Sequence, residues 1–462
     1  MSYKDNEKAQ LYAMFAIVVL ATALGNLSQT AVNSMLGGVD IDLGIDASLG
    51  QWFTTAYMLV VGITVPAVTF ISRKLTTRNL ILVAMALFLA GCAVDFLAAN
   101  FAMMLVGRIL QALSAGITVP LVQAIANIRF PDGQRATAMG IAGIALGFAP
   151  NIGPVLGGAM VDSLGWRSFF IMLAVISIAL VAATFALVPK ETRGSNADTG
   201  AQLDSVSLAL STLGFGGLLL AFSNASSVSL TSPFLWAPMA VGAVFVALFF
   251  LRQRSTADPL INLGIFKVRN FRSAMYVQCA LMASFLGITL LASLYWQDLV
   301  GGTALEAGLI FVPATIVALF VNPLAGIFSD KIGVRPVALI GGTSLVIGSI
   351  GSVFMDATTP LWLVAVLQLF RGMGMSSLIG PTMTFALSDL PREITLDGSS
   401  FIVLIRQACA SLGTAAMVLL VSTLSAAAAT GAVAAALPYQ AAFGFSAVFG
   451  VIMWLLIVVR IK

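Results

Sequence analysis

Long apolar runs dominate the chain. They fall at 12–36, 50–72, 79–99, 102–128, 136–161 and 167–188, with only scattered polar positions. A polar segment, PKETRGSNADTGAQLD (189–204), interrupts them, and two more runs follow at 206–223 and 233–251. Six others occupy 270–296, 306–328, 336–355, 360–387, 397–424 and 440–460. Crossing a bilayer takes roughly 20 residues of helix, so the pattern predicts fourteen membrane-spanning helices. An even number leaves both termini on one side.

Composition agrees: 59% of residues are hydrophobic and 9% charged, against about 25% charged in soluble domains, too few to cover a water-facing surface. The net charge of +4 is small and its basic residues sit in short loops, which excludes a nucleic-acid-binding surface. If the N-terminus is cytoplasmic, every loop lysine and arginine except Arg167 falls on the cytoplasmic side, as the positive-inside rule requires. Acids such as Asp40, Asp46, Asp162, Asp298, Glu306 and Asp356 gather on the other. The polar N-terminus runs straight into a long span without the shape of a cleaved signal peptide. A multi-pass membrane protein with both termini cytoplasmic is expected. There is no histidine, and Cys92, Cys279 and Cys409 lie singly in apolar runs, so neither a metal nor a cofactor is expected.

Three arginines, Arg108, Arg371 and Arg406, fall inside predicted spans. A cation at membrane depth is expensive and needs a partner or an aqueous cavity. No acid lies comparably deep along the chain, Asp95 being close to the end of its span. The segments GRILQALSAGITVP (107–120) and FRGMGMSSLIGP (370–381) repeat an arginine, small residues and a proline in the fourth and twelfth spans. Two pseudo-equivalent halves around a midplane site are a common transporter plan.

Three motifs resemble the major facilitator superfamily, and within it the fourteen-helix drug:proton antiporters. GIFSDKIGVR (326–335) is similar to the family's Gly-x-x-x-Asp-Arg/Lys-x-Gly-x-Arg loop through Gly326, Asp330, Lys331, Gly333 and Arg335. Its counterpart TFISRKLTTR (69–78) is degenerate. VGRILQALSAG (106–116) resembles the fourth-span Arg-x-x-Gln-Gly motif through Arg108 and Gln111, with Ala112 in place of glycine. GIALGFAPNIGPVLGG (143–158), preceded by Gly140, resembles the antiporter motif through Gly153, Pro154, Gly157 and Gly158, with Ala149 at one glycine position. Stacked glycines let helices approach closely in lipid and prolines release backbone hydrogen bonds, which predicts a kinked fifth helix able to hinge between the halves. Where many relatives carry a first-span aspartate, this chain has Ser28 within LSQTAVN, a pattern closer to lincomycin-type exporters.

The resemblance implies an all-α membrane protein: two six-helix bundles, 1–190 and 256–462, with a linker and inserted helix pair at 191–255. It implies a monomeric, proton-driven secondary transporter exporting amphipathic drugs by alternating access, not an enzyme. Its partners are a small-molecule substrate, protons and the bilayer. Cavity candidates are Gln29, Asn33, Tyr57, Arg108, Gln111, Gln278, Trp296, Asn322, Arg371, Arg406 and Gln407. Trp52 and Trp296 read equally as interfacial anchors, and Arg108 as a proton-coupling group or a residue bonding freed carbonyls. Asp95 is the preferred proton carrier, with Asp298, Asp397 or the substrate as alternatives. Organic-anion transport, drawn by the arginines, and lipid flipping on the same fold are the competing readings.

Overall fold

A computed structural model describes residues 3–45, 47–50, 52–190, 204–224, 233–256, 259–302, 304–429 and 434–461; all regular structure among them is helical. The first six long helices are α1 (Tyr3–Leu43), α2 (Trp52–Lys74), α3 (Thr77–Phe96), α4 (Phe101–Ile128), α5 and α6 (Trp166–Leu187). Helix α5 is composite: Arg135–Gly143, a π-helical turn Ile144–Phe148, then Ala149–Leu164. A pair follows, α7 (Ser205–Asn224) and α8 (Pro233–Ser255). The last six are α9 (Arg269–Leu294, continued by a π-helical turn Tyr295–Leu299), α10 (Val312–Ile332), α11 (Val334–Val353), α12 (Leu361–Leu387), α13 (Thr395–Ala429) and α14 (Leu437–Arg460). Among the described residues, eleven helices are long and apolar enough to cross a membrane.

Local chemistry sets the boundaries. The side chains of Thr76 and Asn100 accept from the backbone N–H groups of Asn79 (3.2 Å) and Met103 (2.9 Å), capping α3 and α4. Gly333, at φ +90°, turns the chain directly from α10 into α11, a conformation that costs glycine little. Two expectations about span limits change. Helix α1 begins at Tyr3, ahead of the apolar run that starts at 12, and takes in the polar N-terminal residues. The run at 306–328 is divided, because Ala304–Leu309 ends before α10 restarts with Pro313 in its first turn.

Among the first six helices, α1 packs on α5 and α4, and α3 on α4 and α6; among the last six, α9 packs on α13 and α14, and α11 on α12 and α14. The α7–α8 pair is close-packed at glycines: a Cβ on Gly217 would lie 3.0 Å from the Gly242 Cα. It sits against α2 and α13, with the Phe250 and Phe401 rings 6.2 Å apart.

The first six and last six helices meet chiefly through α5 and α10. Their hydrogen bonds and glycine contacts run from the end bearing the loop lysines and arginines, here the basic end, to about mid-span. A Cβ on Gly326 would fall on the Ala136 carbonyl, and one on Gly140 on the Asn322 carbonyl. Asp330 accepts from the backbone N–H of Ala136 (3.0 Å), that of Thr137 (2.7 Å) and the Thr137 hydroxyl (2.6 Å). Its carboxylate thus caps the first turn of α5, where backbone N–H groups lack intrahelical partners and the helix dipole favours an anion. Nearby, the Ser399 hydroxyl of α13 donates to the Pro120 carbonyl of α4 (3.3 Å).

Candidate functional site

Arg108 sits in α4, two turns in from the acidic end, and is fully buried. Its Nη1 donates to the Ser28 hydroxyl of α1 (2.7 Å) and to the Gln111 side-chain carbonyl (2.8 Å). Its Nε reaches the Phe53 carbonyl of α2 (3.4 Å), and its guanidinium lies 4.4 Å from the Tyr57 ring centroid. The Ser28 hydroxyl donates to Gln111 Oε1 (2.7 Å), the Gln111 amide to Cys92 Sγ (3.5 Å), and the Tyr57 hydroxyl to the Gly25 carbonyl (2.8 Å). Arg108 Nη2 has no hydrogen-bond partner.

Asp95, in the last turn of α3, is 0% exposed. A Cβ on Gly107 would fall on its carboxylate, so the acid rests directly on the α4 backbone beside Arg108. Neither carboxylate oxygen accepts a hydrogen bond, yet Asp95 and Arg108 interact electrostatically. Position along the chain places Asp95 at a span end; its burial depends on a glycine contact between helices that position does not reveal. A buried acid does stand near one of the deep arginines.

Arg371 differs. It is also buried, but its Nη1 donates to the hydroxyls of Ser349 (2.5 Å) and Ser446 (2.9 Å) and its Nη2 to the Ser284 carbonyl (3.0 Å). These partners lie on α11, α14 and α9, inside the last six helices. The internal repeat also changes register. A Cβ on Gly91 would meet the Gly107 carbonyl and the Gln111 Cγ and N; one on Gly348 would meet the Leu367 carbonyl and the Arg371 Cγ and N. Arg371 therefore matches Gln111, and Gln368 matches Arg108: the same pair three residues apart, in reverse order. Aligning the two arginines had put the halves one turn out.

The other candidates scatter. Gln278 is buried and ties α9 to α12 through the Thr382 hydroxyl (2.7 Å). Asn322 donates to the Ala318 carbonyl (2.8 Å) and the Ser376 hydroxyl (3.3 Å). Trp296 is buried near the acidic end, donating to Glu306 (3.2 Å). Gln29, Arg406 and Gln407 are part-exposed, and none forms a hydrogen bond or ion pair among the described residues. The side chains of Asn33 and Pro154 lie outside those described.

The glycines of α5 divide into two sets. Gly140, Gly143 and Gly147 face α10 at Asn322; Gly153 and Gly157 face α1 at Thr30 and Ala31; Gly158 meets nothing within 4 Å. The π-helical turn, closed by Ala149 N–H to the Ile144 carbonyl, includes Gly147 and separates Gly140 and Gly143 from the α1-facing pair. In the Asp330 loop, Lys331 and Arg335 are exposed and take no part in the cap. Thr137, which no motif singled out, supplies two of its three donors.

Comparison with known proteins agrees with this architecture. An uncharacterised MFS-type transporter of Bacillus subtilis, YcnB, is 33% identical over 95% of this chain and 93% of its own length. The lincomycin resistance protein LmrB of the same organism is 30% identical over 90% of this chain and 86% of its own. The multidrug export protein EmrB of Escherichia coli is 28% identical over 89% and 80%. The crystal structure of the human organic anion transporter MFSD10 shares the fold with a TM-score of 0.65 at 15% identity, covering 97% of this chain and 99% of that one. The sequence model of the Major Facilitator Superfamily matches residues 18–414, and the chain belongs to that family of transporters, not to an enzyme family.

Proposed function

We propose that the protein exports amphipathic small molecules in exchange for protons, as a fourteen-helix carrier with both termini in the cytoplasm of a bacterial cell. The six-plus-two-plus-six grouping supplies two bundles that rock about a shared cavity. With the basic end cytoplasmic, closure there by Asp330 and the facing glycines corresponds to a carrier open to the outside. Similarity to proteins named for lincomycin resistance and multidrug export supports export over uptake.

The observation that carries the reading is Asp95, buried beside Arg108 with no hydrogen bond to its carboxylate. A carboxylate so placed is costly when charged, and the cost is relieved when it carries a proton. Once ionised, it draws the free Nη2 edge of Arg108 and competes with Ser28 and Gln111 for that side chain. Protonation returns Arg108 to Ser28, tightening α4 on α1. Proton occupancy thereby changes which helix Arg108 holds. Gly153 and Gly157 join α1 to α5, so the change reaches the helix that closes the basic end.

The test is flux of a fluorescent amphiphile in proteoliposomes of purified full-length protein, with and without an imposed pH gradient. Export that accelerates with the gradient supports the reading; flux indifferent to it refutes proton exchange.

A further inference from the structure

Of the three arginines at membrane depth, Arg108 and Arg371 are bonded within the protein and Arg406 is not. Arg406 lies on α13, eleven residues from its start at Thr395, about 16 Å along a helix rising 1.5 Å per residue. That depth is near the middle of a hydrocarbon core about 30 Å thick. Its Nε is shielded and unpartnered, and no hydrogen bond, ion pair or ring contact to the side chain exists among the described residues.

Its direction follows from its neighbours. Ser399, Arg406 and Gly413 are spaced by seven and fall within about 40° of one another around the helix. Ser399 bonds Pro120 of α4, among the first six helices, and a Cβ on Gly413 would meet Ala283 of α9, among the last six. Arg406 stands between these contacts, on the strip of α13 facing the seam where the two sets meet. A guanidinium turned to lipid at this depth is strongly disfavoured. One facing the seam needs water or an anion to solvate it.

We infer that Arg406 is an anion-recognition residue of the translocation pathway, taking the carboxylate of an amphipathic substrate. The inference rests on the transport reading and narrows its substrate class. A planar, permanently charged guanidinium gives a carboxylate two parallel hydrogen bonds and gives a neutral or cationic compound none. Its depth, well below the headgroups, selects a substrate that has left the interface over a resident lipid phosphate.

The experiment measures equilibrium binding of 9-anthracenecarboxylate and of its methyl ester to the purified full-length protein in nanodiscs, for wild type, Arg406→Gln and Arg406→Lys. Wild type is expected to bind the carboxylate, and Arg406→Gln to weaken it about tenfold or more, as for loss of a hydrogen bond to a charged group. Ester binding should change less than about twofold by the same measure, with Arg406→Lys between. Wild type that binds only the ester, or neither compound, overturns the inference, as does an Arg406→Gln protein that keeps carboxylate affinity or loses both ligands alike. Melting temperatures of the variants separate ligand recognition from a packing role, since an inward packing residue lowers stability and both affinities together. The export reading fails separately, by gradient-independent flux of a neutral amphiphile.

Discussion

Replacing Asp330 with alanine removes the single acceptor for two backbone N–H groups and one hydroxyl at the start of α5. A hydrogen bond to a charged group contributes about 1.5–3 kcal/mol. The carboxylate is half-buried, so water replaces part of what is lost. The three bonds share one side chain and do not add, so a net of about 2 kcal/mol is the working figure. That is an increase of about 30-fold in the population with this end open. Asp330→Asn keeps one acceptor oxygen and should cost about half as much, about fivefold. Hydrogen exchange followed by mass spectrometry reads the effect where it arises. The amides of Ala136 and Thr137 should exchange about 30-fold faster in Asp330→Ala, while Ala149–Leu164 changes by less than about twofold. Unchanged exchange at Ala136 and Thr137 in a folded Asp330→Ala protein would refute the cap. Equal acceleration along the whole of α5 would show that Asp330 supports the fold at large and not this end of it.

Gly326→Val should loosen the same end, because its side chain falls on the Ala136 carbonyl; exchange at Ala136 and Thr137 again reports it. Asp95→Asn should fold normally yet transport at a rate indifferent to the pH gradient, and retained gradient dependence would remove Asp95 as the proton carrier. Arg371→Gln leaves Ser349, Ser446 and the Ser284 carbonyl without their shared donor, and should lower stability by about 3 kcal/mol in a detergent melting assay. Asp204, bonded by Arg252 at 2.9 Å, is held below its ordinary value of 3.8 first by that hydrogen bond and then, against the cost of burial, by Ser207. Its contribution to stability is complete above about pH 4 and is lost as pH falls through the depressed value. The melting difference between wild type and Asp204→Asn should therefore be flat across neutral pH and disappear only in strong acid.

Hydrophobic pattern alone located the helices, because a segment that must satisfy its backbone in lipid has few options. The turn at Gly333 and the role of Asp330 in holding helix ends were also readable, since glycine freedom and carboxylate charge act locally. Asp330's partner was not, as nothing in the motif designates Thr137 on a helix 193 positions away. Position along α3 makes Asp95 peripheral; its burial depends on Gly107 of α4 lacking a side chain. The repeat is legible in the sequence but one turn out of register, because its two conspicuous arginines are not equivalent positions. The true correspondence, Arg108–Gln111 against Gln368–Arg371, became visible only through the matching contacts of Gly91 and Gly348. In sequence Arg406 is equivalent to the other two arginines; only their hydrogen-bond partners distinguish it.

The π-helical turn at Ile144–Phe148 has a consequence for what α5 tolerates. An α-helix advances about 100° per residue, whereas a π turn spends an extra residue on one revolution. That surplus sets the angular phase between two grips: Gly140 and Gly143 on α10, Gly153 and Gly157 on α1. Deleting one residue from Ile144–Phe148 would keep the segment apolar and helical, yet rotate one grip about 100° from its neighbour. A helix with two partners at two angles thus depends on the length of a segment as much as on any side chain in it.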